Sequence, residues 1–423
     1  MNSFLNVSRK TKVIVIDILF LFFYFAAPFS SYLEELPHQL LAYSDEVLEC
    51  LAICFIGYKL IKGQGINLLF EEKVIIGCYA VFVAVTGISS FINGYQSMFY
   101  SLVDMLVCIK FIVMYFAARF LITDKQTYDE LISSLALIVK VILVLMVVLM
   151  LHDTFFEPIF QRFDRYGLYS FQLCFGHPTG LAIASFICFV ILLMNQNVKK
   201  TISNDIFIYV SLIVCFFTLR GKAIASAACA LLFYIYFTKL NFKKLLPIGL
   251  ASVATAVYLG LGQWNLYFGS STIDAEGNVR GMMLKDSFTL AKDNFPIGTG
   301  FGTFGSNVTV TTYSPLYYRF GYDKYFGSSV EKPLFLSDSF WPIVTAQGGF
   351  IGLFAFVGVV AGLLTMVIRR LKSNKYFFTA GLSILMYEVI SSLGESAFFH
   401  PTVWPMFILL GIMVNYSCFC ENK

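Results

Sequence analysis

An arginine, Arg220, stands between two long apolar runs of the sequence, 205–217 and 223–237, with almost no loop around it. An arginine held near a bilayer costs a few kcal/mol unless it faces a wet cavity or a counter-charge, so this placement indicates a functional site. The planar guanidinium can form paired hydrogen bonds with a phosphate, and Lys222 supplies a second cation close by. The two residues predict a diphosphate clamp, with the alternative that both side chains extend to lipid phosphates at the membrane interface.

Three further arginines are expected on the same side of the membrane as Arg220. Arg162 and Arg165 precede the sixth apolar run, and Arg280 lies in the long polar segment that follows the ninth. Guanidinium groups gathered at one face predict a receptor for an anionic lipid head group. Arg280 alone would be an ordinary surface arginine, and its assignment depends on the glycine-rich segment that follows it, Gly298–Gly305.

A histidine and several carboxylates complete the candidate chemistry. His177 lies in Phe175–Gly180, where glycine and proline interrupt an apolar run and predict a re-entrant turn at membrane depth. This histidine either contacts substrate or transfers a proton, or it is a structural group. Asp338 stands where the long polar segment returns to the membrane, as the N-cap of the next helix or as a base for a sugar hydroxyl. Glu395 and His400 offer another carboxylate and imidazole near the same face.

The sequence argues against metal, cofactor and nucleic-acid chemistry. No second histidine or cysteine stands at metal-ligand spacing from His177, so neither a metal nor another cofactor is expected. The ten cysteines lie in apolar runs or at their inner edge, which implies no disulfide framework. Gly298–Gly302 superficially resembles a dinucleotide loop but lacks the surrounding strands, and no basic run with interleaved aromatics indicates nucleic acid.

Composition places these residues in a membrane protein. The 423 residues are 58% hydrophobic and 13% charged, with a mean hydropathy of +0.75, whereas a soluble globule has about a quarter charged residues. Spans of roughly 20 apolar residues can be placed at about twelve positions, so we predict an all-α polytopic membrane protein of about twelve transmembrane helices. The predicted spans are 13–33, 43–61, 73–93, 97–122, 130–151, 167–195, 204–219, 222–238, 244–262, 341–368, 376–394 and 401–419.

The distribution of lysine and arginine predicts the orientation. If both termini are cytoplasmic, the inner loops hold eighteen of the thirty basic residues and the short outer loops hold four, namely Arg162, Arg165, Arg220 and Lys222. This bias places the candidate residues on the side away from the cytoplasm. The chain shows no convincing internal repeat. It is interpreted as one integral membrane domain, 1–423, with a long outer loop, 263–340, between the ninth and tenth helices.

The long outer loop is predicted to contain an amphipathic helix at about 279–293 that lies along the membrane surface and ends at Asn294–Pro296. Gly298–Gly305 is unsuited to the interior of a helix or a strand, and its amides are expected to line a cavity. Several tyrosines follow, among them Tyr318, and their aromatic faces with hydroxyl edges suit sugar rings. Tyrosine is also commonplace at a membrane interface.

The order of these motifs resembles the bacterial O-antigen polymerase and O-antigen ligase superfamily over residues 160–365. The motifs that carry the resemblance are Arg165-Tyr166-Gly167, Phe175-Gly176-His177-Pro178, Leu219-Arg220-Gly221, Arg280 on a loop helix, Phe295–Phe304, Ser337-Asp338-Ser339 and Gln347–Leu353. The resemblance implies a metal-independent glycosyltransferase of the GT-C architecture in the bacterial inner membrane. Such an enzyme would act on undecaprenyl-diphosphate-linked sugars at the periplasmic face.

By position, the family's two essential arginines match Arg220 and Arg280, which would hold the donor's diphosphate and stabilise it as it leaves. Ligases usually have histidine followed by asparagine where this chain has Asp338-Ser339, so the chain is more similar to the repeat-unit polymerases. The expected reaction moves the growing glycan from one undecaprenyl diphosphate to a sugar hydroxyl of a new lipid-linked repeat unit. The alternatives are an O-antigen ligase, which passes glycan to lipid A core, and a lipid-linked oligosaccharide flippase, which is a transporter.

The resemblance and the residue chemistry together assign roles to eight residues. Arg220, Arg280 and Asp338 are expected to be catalytic, and the substrate-binding residues are expected to be Arg165, His177, Lys222, Arg162 and Tyr318. The expected partners are the undecaprenyl-diphosphate-linked oligosaccharides that act as donor and acceptor, and the membrane lipids. A chain-length regulator is a further candidate partner, and nucleic acid is not expected.

Overall fold

The structure is a computed structural model that describes residues 8–26, 44–63, 67–122, 124–239 and 279–421. The described residues are mostly α-helical, with one short β-hairpin. In chain order the elements are α1 (Arg9–Leu21, continued by a π-helical turn to Ala26), α2 (Ser44–Ile61), α3 (Phe70–Asn93), α4 (Met98–Leu121), α5 (Lys125–Phe155), β1 (Arg162–Arg165), β2 (Leu168–Phe171), α6 (Pro178–Val198), α7 (Ile202–Phe216), α8 (Gly221–Tyr234, continued to Lys239), α9 (Val279–Asp293), α10 (Asn307–Thr312), α11 (Pro315–Arg319), α12 (Phe340–Met366, continued to Leu371), α13 (Lys375–Ser391) and α14 (Trp404–Glu421).

Six of the described helices are long and apolar enough to cross a membrane: α3, α4, α5, α6, and α8 and α12 with their continuations. Two more, α7 and α14, are apolar but shorter. The protein is therefore an all-α, multi-pass membrane protein. The predicted span 13–33 is described only as far as Ala26, and the predicted span 244–262 lies outside the described residues.

The predicted span 167–195 is wrong at its beginning, because part of it forms a β-hairpin. In this hairpin β1 and β2 are antiparallel, with Arg162 opposite Phe171. The turn Tyr166–Gly167 has positive φ at both residues, 53° and 73°, a conformation that suits the twist of two-residue hairpins. The apolar side chains of β2 lengthen the hydropathy run without being helical, and α6 begins only at Pro178.

Helix α6 is at the centre of the molecule. Within its membrane-length window, 94% of the residues are buried inside the protein, and its side chains are apolar on every face. A helix that is hydrophobic all round is stable only when other helices surround it. Helices α5, α7 and α13 pack against α6, so the position of its first turn, and of His177 before it, is fixed from several sides.

The glycine-rich segment Gly298–Gly305 packs into a kink of α12. At Gly349 the backbone of this helix has a φ of 62°. Two carbonyls just before the kink accept hydrogen bonds from the amides of Thr299 (2.8 Å) and Gly300 (3.0 Å). The approach is close enough that a Cβ at Gly300 would lie 2.6 Å from the Cα of Ser90. Glycine is needed here because the two backbones are in contact.

Three further amides of this segment also bond to protein, so for these amides and for those of Thr299 and Gly300 the expectation that they line a cavity is wrong. The amide of Phe301 donates to the hydroxyl of Ser90 at 2.8 Å, and that of Gly302 donates to the carboxylate of Asp104 at 2.7 Å. The amide of Gly305 donates to the hydroxyl of Tyr317 at 2.8 Å. The segment therefore joins the long loop to α3, α4 and α12.

Helix α9 occupies the range for which the sequence predicts a helix. Its residues Met283, Leu290 and Ala291 are fully buried, and the helix packs against α12. This contact places Arg280, on the first turn of α9, beside the beginning of α12.

Candidate functional site

The candidate site lies where helices begin. His177 is the N-cap of α6, Arg220 is the N-cap of α8, and Ser339 is the N-cap of α12, next to Asp338. The first turn of each helix has amides without intrahelical partners and a partial positive charge. Helix N-termini combined with cationic side chains form a region that attracts anions.

The turn that carries Arg220 is supported by the β-hairpin. The hydroxyl of Ser170, on β2, donates to the carbonyl of Thr218 at 2.7 Å, and the amide of Phe171 donates to the carbonyl of Phe217 at 3.2 Å. This turn directs the guanidinium towards α6. The Nη2 atom of Arg220 lies 2.8 Å from Nε2 of His177.

The imidazole of His177 faces two donors. The amide of Thr179 points at its Nδ1 atom at 3.2 Å, and Arg220 faces its Nε2 atom. Partial removal from water, with the charges of Arg220, Lys222 and Arg165, lowers the pKa of His177 to about 4. At neutral pH the ring is therefore uncharged and carries one N–H, so it can accept at only one nitrogen at a time.

A second arginine pair forms across the long loop. Nη2 of Arg280 lies 2.5 Å from Oδ2 of Asp338, and both side chains are mostly buried. The guanidinium also lies over the ring of Phe335, 5.8 Å from its centroid. The hydroxyl of Ser339 is buried and has no hydrogen-bond partner among the described residues. The Arg280–Asp338 ion pair thus lies beside the Ser339 hydroxyl, to which a ligand could hydrogen-bond.

Lys222 interacts electrostatically with members of both contacts, Arg220–His177 and Arg280–Asp338. Its ammonium forms an ion pair with the carboxylate of Glu395, and both side chains are largely buried. The charges of Arg220, Arg280 and Asp338 all act on Lys222. Both arginines therefore act electrostatically on the same lysine.

His400 lies at the same cluster. Removal from water, followed by the positive charge of Lys222 and the proximity of His177, lowers the pKa of His400 to about 3. Its Nδ1 atom is 2.9 Å from the hydroxyl of Thr402. The sequence placed Glu395 and His400 near the same face, but a short link between two apolar runs gives no sign of which residues across the chain they meet.

Six of the eight predicted site residues are brought together by contacts or by mutual electrostatic influence, and we call them, with Glu395 and His400, the cationic cluster. They are Arg165, His177, Arg220, Lys222, Arg280 and Asp338. The cluster contains four basic side chains and two carboxylates, so positive charge is in excess. Among the described residues, no group of three or more histidine, cysteine or acidic side chains could hold a metal ion. The excess of positive charge in the cationic cluster favours an anionic ligand.

Two predicted residues are placed differently. Arg162 stacks on Tyr169 of the same hairpin, with its guanidinium carbon 3.9 Å from the ring centroid. Tyr318 is 56% exposed, and its ring packs on Tyr313 with centroids 5.0 Å apart. The described contacts do not join either residue to the cationic cluster, and their roles stay predictions.

The fold and the site define a multi-pass α-helical membrane protein with a cationic cluster where several of its helices begin. No protein-family model matches the sequence, and no curated protein is significantly similar to it.

Proposed function

We propose that the protein is a polysaccharide repeat-unit polymerase, a metal-independent glycosyltransferase that acts on undecaprenyl-diphosphate-linked sugars. The observation that supports this proposal most is that two arginines on separate elements, Arg220 beside His177 and Arg280 beside Asp338, both act electrostatically on Lys222. Several cations within electrostatic range of one another suit the diphosphate of a lipid-linked donor.

In the proposed reaction, the bond between the anomeric carbon of the growing glycan and the diphosphate oxygen breaks. A hydroxyl oxygen of the acceptor sugar forms the new bond to that carbon, and its proton passes to a base. The lipid diphosphate leaves with an additional negative charge. Arg220 and Arg280 would neutralise that charge as it develops, and fixed donors of this kind contribute about 3–4 kcal/mol each.

Asp338 is the proposed base. Its carboxylate is held by Arg280 at the beginning of α12, so it lies beside the position proposed for the diphosphate. A carboxylate within reach of the acceptor hydroxyl can accept the proton as the new bond forms. His177 and His400 are neutral at physiological pH and would contribute N–H groups or acceptors rather than charge.

The proposed topology has about twelve spans in the bacterial inner membrane, with a GT-C architecture and the cationic cluster facing the periplasm. The excess of basic residues in the loops assigned to the cytoplasm supports this orientation. The glycan donors would then be lipid-linked intermediates rather than nucleotide sugars.

The test replaces each arginine by alanine in cells that display the glycan. We expect Arg220→Ala and Arg280→Ala to leave the protein inserted but to yield single-repeat glycan only. Arg319→Ala is the matched control, because Arg319 forms an exposed ion pair with Asp293 outside the cationic cluster. Normal chain-length ladders from both variants would refute the proposal.

The same experiment separates the alternatives. If the protein is a ligase, its loss removes all O-chains from the lipid A core. If it is a flippase, lipid-linked repeat units accumulate on the cytoplasmic side. The departure at Asp338-Ser339 from the ligase pattern, and the concentration of charge where helices begin, favour the polymerase.

A further inference from the structure

A cavity of about 280 Å³ lies between the loop helix α9 and the beginning of α12, and we call it the α9–α12 cavity. Arg280, Leu284 and Phe288 line it from α9, where a spacing of four residues places them on one face of the helix. Helix α12 supplies the opposite wall. Its volume is below the roughly 300–1,000 Å³ of sites for drug-sized ligands, so the cavity suits a smaller group.

Two hydroxyl groups of this cavity have no hydrogen-bond partner among the described residues. They belong to Ser339 and Thr345, whose exposed fractions are 3% and 1%. By contrast, the hydroxyl of Thr365, on the same helix, donates to the carbonyl of Ala361 at 2.8 Å. Leaving a buried hydroxyl unpaired is unfavourable, so we expect the group that fills the cavity to supply the partners.

Trp341 contributes an aromatic ring to the cavity, and the polar edge of this ring is already paired. Its indole N–H donates to the hydroxyl of Ser392 at 3.1 Å, and that hydroxyl donates to the carbonyl of Val389 at 2.7 Å. The ring is therefore held in place from the end of α13. Its faces remain for a ligand, and an aromatic face suits the C–H side of a sugar ring.

Most of the other lining residues are apolar. They are Leu284, Phe288, Pro342, Leu353 and Leu393. A hydrocarbon tail would fit these walls but would leave both buried hydroxyls unpaired. An inorganic anion would pair with Arg280 but would not contact the apolar walls favourably. A sugar ring that carries a methyl group meets both conditions, because its hydroxyls donate and accept while the methyl group packs on hydrocarbon.

Arg280 relates this cavity to the proposed base. The arginine lines the cavity, and its Nη2 atom lies 2.5 Å from Oδ2 of Asp338. Asp338 also directly precedes Ser339, which lines the cavity as well. A ring bound in the α9–α12 cavity would therefore lie beside the ion pair that contains the proposed base.

We propose that the α9–α12 cavity binds one sugar ring of the acceptor, and that it selects a ring with a methyl-bearing substituent, either an N-acetyl or a 6-deoxy group. This inference rests on the proposed function, in which Asp338 is the base for a hydroxyl of that sugar. Ser339 and Thr345 pair with ring hydroxyls, and Trp341 contacts the C–H side. The apolar walls hold the methyl group.

Thr345→Val tests the hydrogen bond, because valine has nearly the same shape and lacks the hydroxyl. The KM for a lipid-linked acceptor should rise about twofold to tenfold, as expected for the loss of a neutral hydrogen bond, while the KM for the donor stays within about twofold. The Tm should not fall, because the unpaired hydroxyl has no partner to lose. Thr365→Val is the matched control, since Thr365 is exposed and lies outside the cavity, and it should change neither KM. An acceptor KM that is unchanged or lowered in Thr345→Val would overturn the inference.

Binding gives a second measurement that does not need turnover. The probes are geranyl diphosphate alone and geranyl diphosphate linked to N-acetylglucosamine, rhamnose or glucose. The readout is the fluorescence of Trp341 after the other two tryptophans are replaced, Trp264→Phe and Trp404→Phe. The N-acetylglucosamine or the rhamnose probe should bind at least about fourfold more tightly than the glucose probe, the gain for one buried methyl group. Thr345→Val should weaken the binding of that probe but not of geranyl diphosphate.

Equal affinities for all four probes would overturn the inference, because a site for hydrocarbon or diphosphate alone does not distinguish the sugars. Glycan lengthening by the wild type together with equal affinities leaves the proposed function standing. A sugar preference that depends on Thr345, without lengthening, supports the saccharide site and contradicts the proposed function alone.

Discussion

Arg220 and His177 meet at 2.8 Å between Nη2 and Nε2, although they begin two different helices. A guanidinium can only donate, so in this contact the imidazole accepts at Nε2. The amide of Thr179 competes with Arg220 as the donor, because it points at Nδ1 and the neutral ring can accept at only one nitrogen. An anion that took the Arg220 hydrogens would free Nε2 to carry the proton and to donate to the same anion.

The first prediction concerns the change of Nε2 of His177 from acceptor to donor when an anion binds Arg220. His177→Gln should keep most of the activity, because a glutamine amide can also accept from Arg220 or donate to an anion. His177→Ala should lose about tenfold to a hundredfold in the rate of repeat addition, as expected for a hydrogen bond to a charged group worth about 1.5–3 kcal/mol. Rates are measured with lipid-linked repeats and purified protein. Equal losses in both variants would contradict the role of the hydrogen bond.

The second prediction concerns pH and folding stability. The pKa values of His177 and His400 are lowered from 6.5 to about 4 and about 3, so the unfolded chain binds more protons than the folded protein between these values. The stability that they contribute is fully present above pH 6.5 and is lost as the pH falls towards 4 and then 3. The Tm in detergent should decrease over this window. A His177→Gln/His400→Gln variant should show a shallower decrease of Tm. An unchanged dependence of Tm on pH would contradict the lowered pKa values of the two histidines.

The third prediction separates a base from a positioning carboxylate at Asp338. Asp338→Asn removes the proton acceptor but also removes a negative charge beside Arg280. We expect turnover to fall by about 10²–10⁴, the range for a general base, while the affinity for a prenyl diphosphate stays equal or increases. Wild-type turnover in this variant would show that Asp338 does not accept the proton.

The fourth prediction concerns Lys222 and Glu395. Removing one partner of a buried ion pair leaves an uncompensated charge and typically costs about 3–5 kcal/mol. Lys222→Met should therefore lower the Tm, and Lys222→Met/Glu395→Leu should recover much of that loss. Activity should stay low in both variants, because the positive charge of Lys222 is missing from the cationic cluster. Recovered activity in the double variant would exclude a direct role for Lys222.

The fifth prediction uses two glycines with positive φ. Gly300 has a φ of 98° and touches the backbone at Ser90, whereas Gly321 has a φ of 74° and no atom nearer than 4.0 Å to the position that a Cβ would take. Both alanine substitutions strain the backbone by about 1–3 kcal/mol. Only Gly300→Ala adds a backbone collision, so its Tm should fall further than that of Gly321→Ala. Equal Tm values would show that the glycine-rich segment can move away from α3.

The sequence was informative where a single residue broke an apolar pattern. Arg220 could be singled out because charge near a membrane is costly unless it is used or paired. Arg280 depended on the glycine-rich segment that follows it, and Asp338 on its position where the long loop returns to the membrane. Hydropathy likewise located the long helices. It misplaced the start of α6, because β2 is as apolar as a helix and only its Tyr166–Gly167 turn distinguishes it.

The partners of these residues could not be predicted, because they depend on packing between distant segments. Lys222 and Glu395 are far apart in the chain, as are Asp104 and Gly302. The glycine-rich segment illustrates the same limit. Its composition excluded regular structure but could not show that its amides would bond to α3, α4 and α12 instead of facing a ligand.

The burial of α6 has a consequence for how the protein responds to its lipid environment. Helices at the periphery adjust their tilt when bilayer thickness changes. A helix with 94% of its window enclosed by protein has almost no lipid contact through which such an adjustment could act. His177 should therefore keep its place when acyl chains are shortened or lengthened, which makes it a fixed reference for distance measurements across membranes of different composition.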